Sequence, residues 1–159
     1  MSQPIFIFKV ALAGRKSIWR RIALKGNQTL DDFHEAIFDA FDRDDEHLYS
    51  FYFPTSLPKR NFHLAIRDAP EYTHPYAFDS DYQFETDAEN AAKVKLSSLR
   101  LKPKQIFYYL FDFGDEWWHE ITVEDTESKA ERGKYPRILE KKGKSPPQYV
   151  YDDDEYDDE

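Results

Sequence analysis

Two aromatic, β-type segments separated by four turn-forming residues constrain the fold more than any other feature of this sequence. Residues 105–112 and 117–125 are rich in Phe, Tyr, Trp, Ile and Val, which pack well on a pleated sheet. Residues 113–116 read Phe-Gly-Asp-Glu, and a short connection of this kind is typical of a β-hairpin. We therefore predict a hairpin over residues 105–125, with Gly114 at a positive φ angle.

The same hairpin carries the residues best suited to chemistry. If its turn centres on Gly114 and Asp115, then Asp112 lies opposite Trp117 and is a diagonal neighbour of His119 on one buried face. Asp112 could then orient His119 as a base or a metal ligand. Alternatively, Asp112 and Asp115 bind turn amides, and His119 is a hydrogen-bonded core residue. We favour the second interpretation.

A second hairpin and a third strand are predicted near the start of the chain. Residues 5–12 and 18–24 are apolar and partly β-branched, and a turn at residues 14–17 joins them. Residues 47–53 are aromatic and alternate in polarity, which is typical of a strand. Pro54 should end that strand, because proline lacks the amide hydrogen that a ladder needs.

One main helix is predicted between these strands. Thr29 followed by Asp32 forms an approximate capping box, so the helix should begin just after Thr29. Four apolar residues then recur at helical spacing, and they are Leu30, Phe33, Ile37 and Phe41. We expect the helix to end near Asp42 and to pack this apolar side on a sheet.

The rest of the chain contains weaker signals. Residues 55–92 are rich in Pro, Asp and Tyr, which predicts a long irregular insertion with at most a short edge strand at 62–66. Residues 94–99 predict a short strand or helical turn, and residues 128–144 predict basic turns. The expected fold class is α+β, with a mixed or antiparallel sheet of about five strands and one main helix packed on one face. Residues 1–150 should form a single domain.

The net charge of −9 resides at the end of the chain. Seven of the eight residues from 152 to 159 are acidic, and the rest of the chain is nearly neutral. Such a segment cannot bury enough apolar area to fold, so residues 151–159 are expected to form a disordered acidic tail. The tail either keeps the protein soluble, which we favour, or competes with an anionic ligand for a basic surface.

Several classes of protein are excluded by what the sequence lacks. It has no cysteine, so disulfides, cysteine zinc sites and cysteine nucleophiles are excluded. It has no apolar run long enough for a membrane span and no recognisable secretory signal, so we expect a cytoplasmic protein without membrane contact. Nucleotide-binding and nucleophile-elbow motifs are missing, and no cofactor is predicted. No local metal-ligand spacing occurs among the histidines, which are His34, His47, His63, His74 and His119.

Basic residues gather in two segments that could form a phosphate-binding surface. Residues 1–30 contain six Lys and Arg and no acid, with Arg20 and Arg21 beside Trp19. Residues 129–144 contain seven more basic residues. If the segments converge, they would attract phosphate. The alternative, which we favour, is that they pair locally with acids on solvated strand faces.

Several short segments occur along the chain in an order that, taken together, is specific. They are Ile18-Trp19-Arg20-Arg21, Leu30-Asp31-Asp32-Phe33-His34, His47-Leu48, Val94-Lys95-Leu96-Ser97, residues 109–124, Tyr135-Pro136 and Pro146-Pro147. In this combination, and in the signature-like run Asp112-Phe113-Gly114-Asp115-x-Trp117-x-His119-x-Ile121, the chain resembles the Ri-plasmid open-reading-frame-three family. The resemblance implies a compact α+β domain linked to plasmids or mobile elements, and it implies no catalytic residue. Many relatives carry cysteines near the Pro-Pro segment, and this chain departs from them by having none.

From these observations we expect a non-enzymatic binding or interaction module, linked to plasmids or mobile elements, that contacts a protein or a nucleic acid. The residues expected at its binding surface are Trp19, Arg20, Arg21, Trp117 and His119. The alternative is a metal-dependent hydrolase or nuclease-like enzyme, and its candidate catalytic residues are Asp112, Asp115 and His119.

Overall fold

An eight-stranded sheet is the frame of the molecule, in a computed structural model that describes residues 4–55, 62–78 and 87–147. The strands are β1 (Ile5–Leu12), β2 (Arg15–Lys25), β3 (Tyr49–Tyr52), β4 (Glu71–Thr73), β5 (Glu89–Asn90), β6 (Ile106–Phe111), β7 (Trp117–Ser128) and β8 (Arg137–Lys142). Across the sheet they lie in the order β5-β4-β3-β6-β7-β1-β2-β8. All neighbouring pairs are antiparallel except β4 and β5, which are parallel.

The predicted main helix is confirmed, together with its cap. It is α1 (Leu30–Ala40), and a five-residue helix, α2 (Phe62–Ile66), lies between β3 and β4 in the chain. Thr29 Oγ1 accepts a hydrogen bond from the amide of Asp32 at 3.1 Å, and Asp32 Oδ2 accepts one from the amide of Thr29 at 2.8 Å. The helix ends slightly earlier than expected. Short 3-10 helices lie at Pro75–Phe78, Ala91–Lys93 and Leu96–Leu99.

The apolar side of α1 packs on one face of the sheet, and aromatic rings fill most of the space between them. Phe33 is fully buried, with its ring centre 4.5 Å from that of Phe8 and 5.7 Å from that of Phe51. Leu30 and Ile37 extend this side of the helix and are also fully buried. Each such side chain contributes roughly 1.5–3 kcal/mol by leaving water. The α+β class is therefore confirmed, with the main helix on one face.

The sheet has eight strands and not about five, and the additional strands lie in segments that were predicted to be irregular. β4 and β5 lie within residues 55–92 and form one edge, and β8 lies within residues 128–144 and forms the other. β4 and β5 have only three and two residues, and β8 is largely exposed. Such edge strands show no hydrophobic alternation, which is why the sequence did not reveal them. The edge strand considered at residues 62–66 is wrong, since α2 occupies that segment.

The hairpin of β6 and β7 is confirmed, but its register differs by one residue from the predicted one. Phe111, and not Asp112, pairs with Trp117, and Tyr109 pairs with His119. Because alternate residues of a strand face opposite sides, this shift exchanges the two faces of β6. The aromatic side chains of Tyr109 and Phe111 therefore share the buried face with His119.

The turn of this hairpin spans residues 112–116, one residue more than expected. The amide of Glu116 donates to the carbonyl oxygen of Asp112 at 2.7 Å and closes the turn. Asp112 and Glu116 take positive φ angles of 65° and 53°, and Gly114 does not, so the prediction for Gly114 is wrong. Asp112 tolerates this conformation because its Oδ1 accepts hydrogen bonds from the amides of Gly114 and Asp115 at 3.1 and 3.3 Å.

Within the described residues, no helix has the length and apolar character needed to cross a lipid bilayer. The predicted acidic tail, residues 151–159, lies outside the described residues.

Candidate functional site

His119 is fully buried on the inner face of the hairpin, as one of the two sequence interpretations required. Its Nδ1 lies 3.2 Å from the carbonyl oxygen of Tyr109, which can only accept, so Nδ1 carries the proton. Its Nε2 lies 2.7 Å from Nη2 of Arg43 and accepts a hydrogen bond from that guanidinium. Burial and the charge of Arg43 hold the pKa of His119 well below its usual range. His119 is thus a neutral ring with both nitrogens already hydrogen-bonded.

Arg43 is a buried cation whose surroundings are aromatic instead of acidic. The residue is 7% exposed, and its guanidinium lies 5.1, 5.0 and 5.5 Å from the ring centres of Phe41, Phe111 and Trp117. Burial lowers the pKa of Arg43 to about 10, so the side chain remains charged at neutral pH. It forms no ion pair with any described residue, and its Nη1 has no hydrogen-bond partner.

Asp112 and Asp115 form no hydrogen bond with His119. Oδ1 of Asp112 binds the turn amides, which confirms that part of the prediction, and its Oδ2 lies 3.5 Å from Nε2 of His47. Asp115 contributes its amide to the same turn. The three residues proposed for a hydrolase therefore do not converge on one point.

Arg20 of β2 is buried, and its guanidinium contacts the C-terminal end of α1. It therefore does not lie on the surface where binding was predicted. The residue is 2% exposed, and its Nε donates to the carbonyl oxygen of Ala40 at 2.8 Å. Its Nη1 donates to the carbonyl oxygens of Trp19 and Lys142 at 2.8 and 3.0 Å. A cation here satisfies a carbonyl that the helix leaves unpaired and complements the helix dipole. Burial lowers the pKa of Arg20, and the nearby Asp42 partly opposes this shift.

Trp19 and Arg21 project from the opposite face of β2. The guanidinium of Arg21 and the ammonium of Lys9 each lie 5.0 Å from a ring centre of Trp19. Arg21 also forms ion pairs with Glu124, at 2.6 Å, and with Glu140. The hydrogen bond to Glu124 raises the pKa of Arg21.

The two basic segments do converge, because β8 pairs with β2. Acidic residues nevertheless pair with four of the basic residues, Lys16, Arg21, Arg137 and Lys141. Besides the pairs of Arg21, the ion pairs are Lys16–Glu120 at 3.0 Å, Arg137–Glu131 at 3.6 Å and Lys141–Asp42 at 4.0 Å. This is the local pairing that the sequence analysis favoured, and it leaves a surface of mixed charge.

A groove opens beside the hairpin, where the turn between β1 and β2 meets the start of β7. Its volume is about 480 Å³, and its lining comprises residues 12–15, His63, Glu116, Trp117, Trp118 and Pro146. Most of the lining is apolar or aromatic. The carboxylate of Glu116 accepts a hydrogen bond from Nε1 of Trp118 at 3.3 Å. Arg15 is the cation of the lining, and it forms no ion pair with a described residue.

Trp117 of this groove carries a hydrogen-bond donor without a partner, and a second such donor, on Arg43, lies beside it. Among the side chains that the structure describes, the buried nitrogens without a hydrogen-bond partner are Nε1 of Trp117 and Nη1 of Arg43. The two side chains are neighbours, because the guanidinium lies 5.5 Å from the ring centre of Trp117. Both atoms donate and one is charged, so a carboxylate is the group that would satisfy them best.

The role of Arg43 was not predicted from the sequence. The residue stands in the run Asp42-Arg43-Asp44-Asp45, which is typical of a solvated loop. Its burial depends on the nearby ring of Phe41 and on the rings of Phe111 in β6 and Trp117 in β7, which are distant in the chain. Only the tertiary structure brings them together.

Three residues could hold a metal ion. They are His34, Glu35 and Glu46, which offer ligand atoms that all lie within 4.8 Å of one another. No sequence pattern indicated this group, because Glu46 reaches His34 only through the loop that follows α1.

Comparison with known proteins identifies the fold but not an activity. A family model described as "Plasmid pRiA4b ORF-3-like protein" matches residues 4–158. The chain is also similar to a solved structure entitled "Crystal Structure of Protein of Unknown Function MM3350 from Methanosarcina mazei Go1". The identity is 25%, the TM-score is 0.70, and the match covers 93% of this chain and 74% of the other. No curated protein matches the chain.

Proposed function

The chain belongs to the plasmid pRiA4b ORF-3-like family, and we propose that it is a non-enzymatic binding module that takes an aromatic and acidic segment of a protein partner in the groove beside Trp117. The observation that carries this proposal is a pair of neighbouring unpartnered donors, Nε1 of Trp117 in the groove lining and Nη1 of Arg43 beside it. A link to plasmids or other mobile elements, which the family description suggests, is part of the proposal.

The charge of Arg43 is the first argument. A buried charge that lacks a counter-ion costs several kcal/mol, and the hydrogen bond to neutral His119 and the surrounding rings offset only part of that cost. A carboxylate from a partner would supply the missing opposite charge and the missing acceptor together. Arg15 adds a second cation in the groove lining.

The shape of the groove is the second argument. Its volume of about 480 Å³ has room for a short peptide segment, and the rings of Trp117 and Trp118 suit an aromatic side chain in that segment. The segment of this chain that follows Pro146 combines these chemistries, since residues 149–156 read Tyr-Val-Tyr-Asp-Asp-Asp-Glu-Tyr. Because Pro146 itself lines the groove, a peptide of that sequence is a well-chosen probe.

A binding role is favoured over the hydrolase alternative by the hydrogen bonding of His119. Its Nε2 lone pair is engaged by Arg43 and its Nδ1 proton by Tyr109, so the ring has no nitrogen left to act as a base. A protein partner is favoured over nucleic acid because Lys16 and Arg21 of β2 and Lys141 of β8 are each paired with an acid.

Fluorescence anisotropy with the labelled peptide Tyr-Val-Tyr-Asp-Asp-Asp-Glu-Tyr tests the proposal. The full chain should bind it saturably with a Kd on the order of micromolar, and the peptide with Asn and Gln in place of its acids should bind at least about tenfold more weakly. Trp117→Phe, which keeps a ring and removes the donor, and Arg15→Glu should both weaken binding. Trp19→Phe and Arg132→Glu are the matched controls on other surfaces, and they should bind normally.

Two outcomes would contradict the proposal. One is that no saturable binding occurs at millimolar peptide. The other is that the control variants lose affinity as much as the groove variants. Steeply salt-dependent binding of a single-stranded oligonucleotide, with no binding of peptide, would assign the surface to nucleic acid instead.

A further inference from the structure

A second polar cluster surrounds His34 on α1, and it shares the neighbouring rings of Tyr109 and Phe111 with His119 and Arg43. This ring is 1% exposed and is stacked on the ring of Tyr49, with the ring centres 4.0 Å apart. Its Nδ1 lies 2.6 Å from the hydroxyl oxygen of Tyr109, and its Nε2 lies 3.1 Å from Oε2 of Glu46. The ring is therefore held in one orientation, with Nε2 directed towards a carboxylate that is half exposed.

A second carboxylate completes the group. Glu35 is next to His34 in α1, and the ligand atoms of His34, Glu35 and Glu46 lie within 4.8 Å of one another. Burial raises the pKa of Glu35, and the negative charges of Glu46, Asp31 and Asp39 raise it further. Two carboxylates thus share one imidazole, and a cation between them would relieve their repulsion.

The two carboxylates of the cluster reach solvent, since Glu35 is exposed and Glu46 is half exposed. A depression of about 320 Å³ is lined by Glu46, His47, Leu48 and His74. The ring of His74 lies 6.3 Å from that of His34, centre to centre. Its Nδ1 accepts a hydrogen bond from the amide of Tyr76 at 3.0 Å, so its Nε2 carries a proton. His74 is therefore a hydrogen-bond donor at the mouth of the cluster and does not act as a further ligand.

We propose that His34 Nε2, Glu35 and Glu46 bind a divalent transition-metal ion of the Zn²⁺ type. One imidazole nitrogen and two carboxylate oxygens, with open positions towards solvent, match the ligand preferences of Zn²⁺ and its neighbours. The ion replaces the proton between His34 and Glu46. The imidazole proton then resides on Nδ1, where the hydroxyl of Tyr109 accepts it and keeps the ring in place, as the outer partners of metal-bound histidines do. This site is separate from the groove and does not depend on the proposed function.

Isothermal titration of the full chain with Zn²⁺, together with metal analysis after dialysis, tests the site. We expect one tightly bound equivalent with micromolar affinity or better. Glu46→Gln and Glu35→Gln should each weaken this binding at least about tenfold, because each removes an anionic ligand while the exposed side chain keeps its shape. Glu89→Gln and Glu131→Gln are the matched controls, and they should bind Zn²⁺ like the unaltered chain.

His34 is buried, and its replacement could unfold the protein. Its role as a ligand is therefore tested in the unaltered chain, by NMR of its imidazole ring. Zn²⁺ should shift the Nε2 resonance of His34 and leave that of His119 unchanged. The proposal is overturned if no stoichiometric Zn²⁺ binding occurs, if Glu46→Gln and Glu35→Gln bind as the unaltered chain does, or if the His34 resonance does not respond.

Discussion

Among single residues, the most informative ones are the polar side chains buried inside the aromatic core. His119, Arg43 and Arg20 are all buried, and each forms a hydrogen bond with a residue that lies far away in the sequence. The sequence identified His119 as a residue of interest, and its hydrogen-bonded burial is confirmed. Its partner Arg43 could not be identified, because nothing local distinguishes a buried arginine from one in a solvated loop.

His119→Ala should destabilise the fold strongly. The change removes a ring packed against Tyr109 and Phe41 and leaves Nη2 of Arg43 without an acceptor, so we expect a loss of roughly 3 kcal/mol. Urea unfolding followed by tryptophan fluorescence measures this loss. A loss below about 1 kcal/mol would show that the ring is not a structural residue.

The depressed pKa of His119 also predicts how stability depends on pH. The unfolded chain takes up a proton near pH 6.5 and the folded chain does not, so the free energy of unfolding should fall as the pH decreases below about 6.5. One such group contributes a slope of up to about 1.4 kcal/mol per pH unit. The slope between pH 6.5 and 5.5 should decrease in His119→Gln, which can keep both hydrogen bonds but does not titrate. An unchanged slope would contradict this assignment.

At the scale of elements, the sequence predicted what local chemistry determines. The cap of α1 and the hairpin of β6 and β7 follow from residue types at fixed spacings, and both are confirmed. The register of the hairpin was missed because a turn of five residues was read as one of four. The edge strands β4, β5 and β8 were missed because an exposed or very short strand carries no periodic apolar pattern.

The geometry of the turn predicts that substitutions at Asp112 and Gly114 differ in their effect on stability. Asp112→Ala should cost about 1–2 kcal/mol, because it removes the acceptor of two turn amides at a residue with positive φ. Gly114→Ala should be nearly neutral, because Gly114 lacks a positive φ and a Cβ there would meet only Oδ1 of Asp112, at 3.4 Å. Thermal unfolding of both variants gives the comparison, and the reverse order of stability would contradict the observed turn.

At the scale of the whole molecule, the fold class and the main helix could be predicted from the sequence, whereas the groove could not. The groove depends on the meeting of two turns with His63 and Pro146, which no sequence pattern connects. The alternative role considered for the acidic end, competition with an anionic ligand, can be tested at the groove, because residues 152–156 form part of the probe peptide.

Removal of residues 152–159 should leave the melting temperature within a few degrees, because seven acids repel one another and have nothing to bury. The same deletion should raise the affinity for the acidic probe peptide severalfold, since a tethered competitor is lost. A large decrease in melting temperature, or weaker peptide binding, would show that the segment supports the fold or the site.

Whether Trp117 and Arg43 bind a carboxylate of the partner can be observed by NMR of the tryptophan indole groups. The chain has three tryptophans, so their indole N–H signals can be resolved individually. Addition of the acidic peptide should move the Trp117 signal downfield, as expected for a new hydrogen bond, and leave the Trp19 signal unchanged. If the Trp117 signal does not move at saturating peptide, or if only the Trp19 signal moves, the groove is not the binding site.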